Sequence, residues 1–266
     1  MGSGFTGCRF SVCRDSESNR SVGYLEIGIN KMNNDNLVGR KDELKLINDL
    51  MDKKRNIIMF GEEGVGKSAI AQRVLNEQGG KNNIYMQENH TLRQTLTGII
   101  TAIPNEERKV IDSLNILALK KKCYEILKST PNYIVLDHVG RVEPKHYAFF
   151  TYVLEKNIPL LVISRGLDKK AIGHLCMALY DFEKGEIKNF DKTASNNLID
   201  YLMKEFNIKV TKEAEFKQAI FNHSKGNPKI IKALCFLARD VKYKRNDSLD
   251  VHLMDLDRRI NETIAK

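Results

Sequence analysis

The sequence predicts an α/β fold, a parallel sheet covered by helices on both faces and followed by a small helical subdomain. Three observations predict it. Short apolar runs alternate with stretches of helical periodicity over residues 34–190. Those runs are apolar throughout, as strands buried on both faces are, and do not alternate with polar residues. After about residue 190 the runs stop and only helical patterns follow.

Each element can be justified in order. Residues 1–33 lack sustained periodicity and read as a loose leader, with Met32 a candidate natural start. Leu44, Ile47, Leu50 and Met51 share one helical face. Asn56 to Phe60 reads as a buried strand and runs into a Gly-rich turn. Ile70, Ala71, Val74 and Leu75 mark the next helix, and Ile84 to Met86 a short strand. Leu92, Leu96, Ile99, Ile100 and Ile103 predict a helix stopped by Pro104. Leu114, Leu117, Cys123, Ile126 and Leu127 predict another. Tyr133–Leu136 and Pro159–Ile163 are further strands, with a helix around Phe149–Leu154 between them. A weaker strand is expected near Ala178–Phe182. The core therefore spans 34–190. Helices over Ala194–Phe206, Ala214–Phe221, Pro228–Val241 and Val251–Ile264 make 191–266 a helical lid with a C-terminal helix.

Composition narrows the function classes. The 266 residues carry a formal charge of +9, from 43 Lys and Arg against 34 Asp and Glu. A hydrophobic fraction of 42% excludes wholesale disorder. No apolar run reaches the roughly 18–20 residues of a membrane helix, so no membrane span is expected. The basic excess is spread thinly, with Lys53-Lys54-Arg55, Lys120-Lys121-Lys122 and Lys242-Tyr243-Lys244-Arg245 the only dense patches. Each reads first as a solvated face, so nucleic-acid contact is permitted without being required. Five cysteines without a CxxC predict a reduced, cytoplasmic protein with small buried thiols. Cys8 and Cys13 could pair or hold metal, but two ligands without a nearby second pair make a weak zinc signal.

The chemistry concentrates in Gly61-Glu62-Glu63-Gly64-Val65-Gly66-Lys67-Ser68, which matches G-x-x-x-x-G-K-[ST] without gaps. A buried strand precedes it and an amphipathic helix follows, the context a phosphate-cradling loop requires. Glycines let the backbone wrap phosphates and turn N–H groups inward. The helix beginning near Gly66 directs its positive dipole end at the same oxygens, with Ala69 in its first turn. Lys67 would neutralise the outer phosphates and Ser68 would hold Mg²⁺. Asp137 ends the strand Tyr133–Leu136, where ligands bind on open α/β sheets, and would reach the same Mg²⁺. Leu161–Ile163 leads into Ser164 and Arg165 at the same edge, where a guanidinium could read a terminal phosphate.

These residues resemble the AAA+/STAND class of P-loop ATPases, including the archaeal-type and origin-recognition-like ATPases, over roughly residues 36–240. The resemblance implies a P-loop NTPase fold and ATP with Mg²⁺ as its ligands. Gly61 to Ser68 looks like Walker A, Asp137 like Walker B and Ser164-Arg165 like sensor 1. An hhGRxxE segment lines the adenine pocket in that class. Its counterparts here are Leu37, Val38, Gly39, Arg40 and Glu43. Gly226-Asn227-Pro228 resembles the G-x-P motif of the lid, which implies that Pro228 approaches the nucleotide. ATP is implied over GTP, and no NKxD guanine-reading motif follows the P-loop.

Departures shape the expected activity. His138 stands where the class usually has an acidic residue that polarises the attacking water. Either hydrolysis is slow or Glu62, Glu63 or Glu143 orients the water; slow hydrolysis is favoured. No arginine lies in Gly166–Cys176, which weakens a processive-ring reading. The expectation is an ATP-dependent molecular switch, a slow ATPase using Lys67, Asp137, His138 and Arg165. It would act through an unidentified protein partner and by self-association on binding ATP. The alternatives are a DNA-associated ATPase, such as a transposition or replication-initiation regulator, and a nucleotide-binding scaffold with little turnover.

Overall fold

The computed structural model describes residues 37–264 except 79–82, 88, 103–107, 130 and 246–247. The leader, Cys8, Cys13 and the Pro104 helix stop lie outside the described residues. Five strands, β1 (Asn56–Phe60), β2 (Asn83–Met86), β3 (Tyr133–Leu136), β4 (Leu160–Ser164) and β5 (Phe182–Glu186), form one parallel sheet. Their order is β2-β3-β4-β1-β5.

The apolar runs are buried on both faces because alternate residues feed two cores. Ile57, Met59, Val135, Leu161 and Ile163 face one side. There they meet α1 (Lys41–Asp52) through Ile47 and Met51, and α2 (Lys67–Glu77) through Ile70, Ala71 and Val74. Ile58, Ile134, Leu136, Leu160 and Val162 face the other side. The helices there are α3 (Leu92–Thr101), the short α4 (Arg108–Ser113), α5 (Ile116–Leu127) and α6 (Pro144–Glu155). Leu96, Ile99, Cys123, Leu127, Phe149 and Phe150 fill that core. Thr91 starts α3 with a capping box closed by Gln94.

After β4 the chain runs through a single helical turn, α7 (Lys169–Ile172), and a 3₁₀ segment, His174–Asp181, into β5. Four helices follow: α8 (Lys192–Glu205), α9 (Glu213–Ser224), α10 (Pro228–Leu237) and α11 (Val251–Ile264). They share a third core made by Leu198, Ile199, Leu202, Phe216, Ile220, Ile231, Leu234 and Met254, with Val38 packed against it. Among the described residues, no helix is long and apolar enough to cross a membrane.

Several expectations need correction. Ala178 lies in the 3₁₀ segment, where Leu175 and Ala178 are buried three residues apart, and the strand begins only at Phe182. That strand reads Phe-Glu-Lys-Gly-Glu, which a sheet edge tolerates because one side of the ladder has no neighbour. Strands do not stop at 190: β6 (Lys244–Arg245) and β7 (Ser248–Leu249) form a small antiparallel pair. They are too short and polar to show as an apolar run. Leu117 is 78% exposed despite its apolar character, while Leu119 and Cys123 supply the buried face of α5. The helix expected over Pro228–Val241 ends at Leu237, and Val241 is exposed.

The turn between α9 and α10 is held tightly. Lys225 and Gly226 both adopt left-handed backbone, with φ of 51° and 75°. A Cβ on Gly226 would sit 2.0 Å from the Phe190 carbonyl oxygen, and the Phe190 N–H donates to the Gly226 carbonyl at 2.9 Å. Gly226→Ala is therefore expected to lower unfolding free energy by more than about 1 kcal/mol, read from urea denaturation.

Candidate functional site: a cationic cleft at the sheet edge

The carboxyl ends of β1, β3 and β4 open into a cleft of about 780 Å³, closed on its far side by the start of α10. The register aligns these ends: Phe60 pairs with Ser164, and Leu136 with Val162. Glu63, Gly64, Gly66, Lys67, Ser68, Ala69, Asp137, His138, Ser164, Arg165 and Pro228 all line it. Residues as far apart in sequence as Glu63 and Pro228 are thus brought to one surface.

The loop from Gly61 to Gly66 has every carbonyl engaged. Lys67 folds back and its ammonium donates to the carbonyls of Gly61 and Glu62 at 2.8 and 2.7 Å. The Asn227 side-chain amide donates to the Glu63 carbonyl at 2.9 Å. The Lys229 N–H reaches Gly64 at 3.2 Å, and Arg40 reaches Val65 at 2.9 Å. Gly66 accepts from Ile70 at 3.0 Å, the first bond of α2. With its carbonyls engaged, the loop has its N–H groups left as donors, and α2 adds the unpaired donors of a helix start. Gly64 and Gly66 have φ of 84° and 99°. A Cβ at Gly64 would meet Asn227 Oδ1 and Lys229 Cβ at 2.7 Å each, so glycine permits the close approach of α10.

Charge in the cleft is biased towards cations. Lys67, Arg165, Lys170, Lys229 and Lys232 line it against only Glu63 and Asp137. Burial pulls the Lys67 proton affinity down, Asp137 opposes this, Arg165 adds to it, and Glu63 opposes it. Burial likewise lowers that of Lys232. Glu63 is shared: Arg165 donates to its Oε2 at 2.8 Å and Lys229 to its Oε1 at 3.2 Å. One P-loop carboxylate thus spans a cation after β4 and a cation on α10. Of the carboxylates considered for orienting water, Glu63 lines the cleft; Glu62 does not and accepts from Asn189 at 2.9 Å, and Glu143 precedes α6 away from it.

Asp137 is fully buried. Its oxygens accept from Tyr85 Oη at 2.8 Å and from the His138 N–H at 2.8 Å, so it presents an acceptor. Ser68 lines the same cleft. One hydroxyl and one carboxylate suit Mg²⁺, which takes few protein oxygens and completes its shell with phosphates and water. Among the described residues, no group of three or more His, Cys, Asp or Glu side chains could hold a metal by itself. His138 has φ of 52° and an exposed ring 3.2 Å from Asp137 Oδ1. Ser164 turns its hydroxyl to the Gly166 carbonyl at 2.9 Å.

Val38, Gly39 and Arg40 lie behind the loop and do not line the cleft. The Arg40 guanidinium is buried, stacks 4.2 Å from the Phe190 ring centre, pairs with Glu43 and donates to Val65 and Lys188 carbonyls. Gly39 faces Phe190 and Ala194. Sequence reasoning missed Lys229, Lys232, Lys170 and His90. Lys229 directly follows Pro228, and Lys232 is one turn further along the same helix, a spacing that could have been read.

A buried polar chain backs the end of β3. Asn89 donates to the carbonyls of Met86 and Asp137, both at 2.9 Å. Thr95 Oγ1 lies 3.5 Å from Asn89 Oδ1 and 3.0 Å from His146 Nε2.

Comparisons with solved structures place this fold. A Walker-type ATPase of Pyrococcus abyssi matches with a TM-score of 0.60 and 15% identity, over 86% of this chain and 74% of the other. The ORC1 protein of Aeropyrum pernix, in complex with DNA, matches at 0.59 and 15%, over 84% and 66%. Replication initiator DnaA, bound to AMPPCP and single-stranded DNA, matches at 0.54 and 15%, over 84% and 65%. The chain has the fold of the AAA+ P-loop ATPases. It spans about two thirds of the length of the ORC1 and DnaA chains. No protein-family model and no curated protein matches the sequence.

Burial pushes His146 down to about 4, so it is neutral in the folded chain. The unfolded chain takes up a proton near the ordinary value of about 6.5. Acid thus favours unfolding: stability is unaffected above about 6.5 and falls as pH drops to about 4, by an amount on the order of 3 kcal/mol. His146→Gln is expected to flatten that part of the pH–stability profile, measured by urea denaturation at several pH values.

Proposed function

We propose that the chain binds ATP with Mg²⁺ in this cleft and acts as a nucleotide-dependent switch with slow hydrolysis. One observation supports it above the rest. Glu63 already joins Arg165 to Lys229, so the two walls of the cleft share an anion that a terminal phosphate would replace. Phosphate charge exceeds that of one carboxylate, so nucleotide favours the arrangement in which Arg165, Lys67 and Lys229 converge. Lys67 and the α2 N–H groups would hold the phosphates. Ser68 and Asp137 would hold Mg²⁺, which supplies charge neutralisation when bound. Pro228 and Ala69 shape the walls. Val38, Gly39 and Arg40 belong, in this reading, to the base side of the site, between the loop and α8.

Slow turnover fits His138, a residue without the negative charge that orients an attacking water. The division into a core over 34–190 and a lid over 191–266 gives the switch its moving parts. Its output would be a surface offered to a protein partner or to a second copy of the chain. A cytoplasmic setting fits the free thiols of Cys123, Cys176 and Cys235.

The second reading, a DNA-associated ATPase, draws on likeness to two proteins whose structures contain DNA. The dense patch at 242–245 supports it poorly, since Lys242 is paired with Asp257 and Arg245 with Asp250. Affinity for a DNA duplex, measured by fluorescence anisotropy at two salt concentrations, should be absent even at low salt if the first reading holds. Binding that falls steeply with salt would favour the second.

Lys67→Ala should abolish ATP binding in isothermal titration calorimetry, and unchanged affinity would remove the basis of the proposal. Glu63→Gln should tighten ATP binding roughly three-fold, the scale of one exposed ion pair.

A further inference from the structure

We propose that Tyr85 is a positioning residue for the metal side of the cleft, through a chain from α2 to Asp137. This rests on the reading that Mg²⁺ accompanies ATP there, and concerns how its carboxylate is aimed.

Tyr85 pairs with Val135 across the β2–β3 ladder, so it shares a face with residues 135 and 137 of the neighbouring strand and its extension. Its ring packs, half-buried, against the core under α1 and α2. From there the hydroxyl donates to Asp137 Oδ2 at 2.8 Å. The same hydroxyl accepts a long hydrogen bond of 3.4 Å from Gln72 Nε2. Gln72 follows Ser68 by four residues on α2, which places the two on one face of that helix. The two side chains proposed to hold the metal are therefore linked: Ser68 and Gln72 by the helix, Gln72 to Tyr85, and Tyr85 to Asp137.

The direction of each bond is dictated by chemistry. A buried carboxylate can only accept, so Tyr85 must donate to it and is left to accept from the amide of Gln72. The His138 N–H occupies the other oxygen, Oδ1. Donors on both oxygens resist rotation of the carboxylate, and Oδ2, whose one donor is Tyr85, keeps a lone pair for a metal-bound water or the metal itself, while the His138 ring also lies 3.2 Å from Oδ1. Neither donor is delivered by the P-loop motif, and the Tyr85 position carries no chemistry when β2 is read alone.

Tyr85→Phe removes only the hydroxyl and keeps the ring that packs on the core. The test uses the full chain, with Mn²⁺ as a spectroscopic probe in place of Mg²⁺ and AMPPCP as the nucleotide. Free Mn²⁺ is titrated by electron paramagnetic resonance, and nucleotide binding is measured separately in EDTA. The expected result is a loss of roughly ten-fold or more in Mn²⁺ affinity of the nucleotide complex, the scale of a lost supporting hydrogen bond at a metal ligand. Nucleotide affinity in EDTA should stay within about two-fold. Gln72→Met, at the far end of the chain, should shift Mn²⁺ affinity in the same direction by less, and serves if the phenylalanine variant fails to fold. Equal Mn²⁺ affinity in the folded variants overturns the positioning role alone. An equal loss in EDTA also overturns it, because the hydroxyl then supports the cleft as a whole. Failure of the unmodified chain to bind AMPPCP in either condition overturns the ATP reading itself.

Discussion

The constraint on which the rest of the structure depends is the satisfaction of six successive carbonyls, from Gly61 to Gly66. Val65 is buried and the three glycines of the turn are half-buried, and such groups left unpaired away from water cost about 1–3 kcal/mol each. Their donors come from four places: Lys67 within the motif, Arg40 before the first helix, Asn227 and Lys229 at the start of α10, and Ile70 in α2. Loop, core and helical region are thereby joined at one point. The same arrangement uses the loop's carbonyls within the protein and leaves its N–H groups as the donors of the turn.

Electrostatics follow from that junction. Lys67 is buried, which disfavours its charge, and the cleft holds more cations than carboxylates. Such a site is unfavourable when empty of anions, and Glu63 relieves it by lying between Arg165 and Lys229. The pairs are exposed and individually weak. Their value lies in position, since both cations come from different walls. A ligand carrying several negative charges competes directly for them.

Local spacing made much of this legible. The glycines, Lys67 and Ser68 act within one turn, so their pattern is contained in eight consecutive residues, and Asp137 was marked by the apolar strand before it. The interior strands β1, β3 and β4 were readable because burial on both faces demands continuous apolar residues, and the edge strand β2 because it keeps Ile84, Tyr85 and Met86. The polar edge strand β5 was not, because an edge position lifts that demand. Leu117 misled for the converse reason: helical periodicity assigns a face, but only neighbours decide whether that face is covered.

By itself the sequence determined the α/β class, the glycine-rich turn before α2 and the strand that leads into Asp137. These depend on backbone conformation and on contacts within a few residues. Tertiary structure alone decided that Arg40 braces the loop from behind, that Glu63 bridges Arg165 and Lys229, and that Tyr85 reaches Asp137. Each is a contact made by a side chain with a group far away in the chain, and its existence rests on strand order and helix docking. Hydrogen bonds depend steeply on distance and angle. Residue type can supply the donor and acceptor, while only the packed fold can bring them within three ångströms.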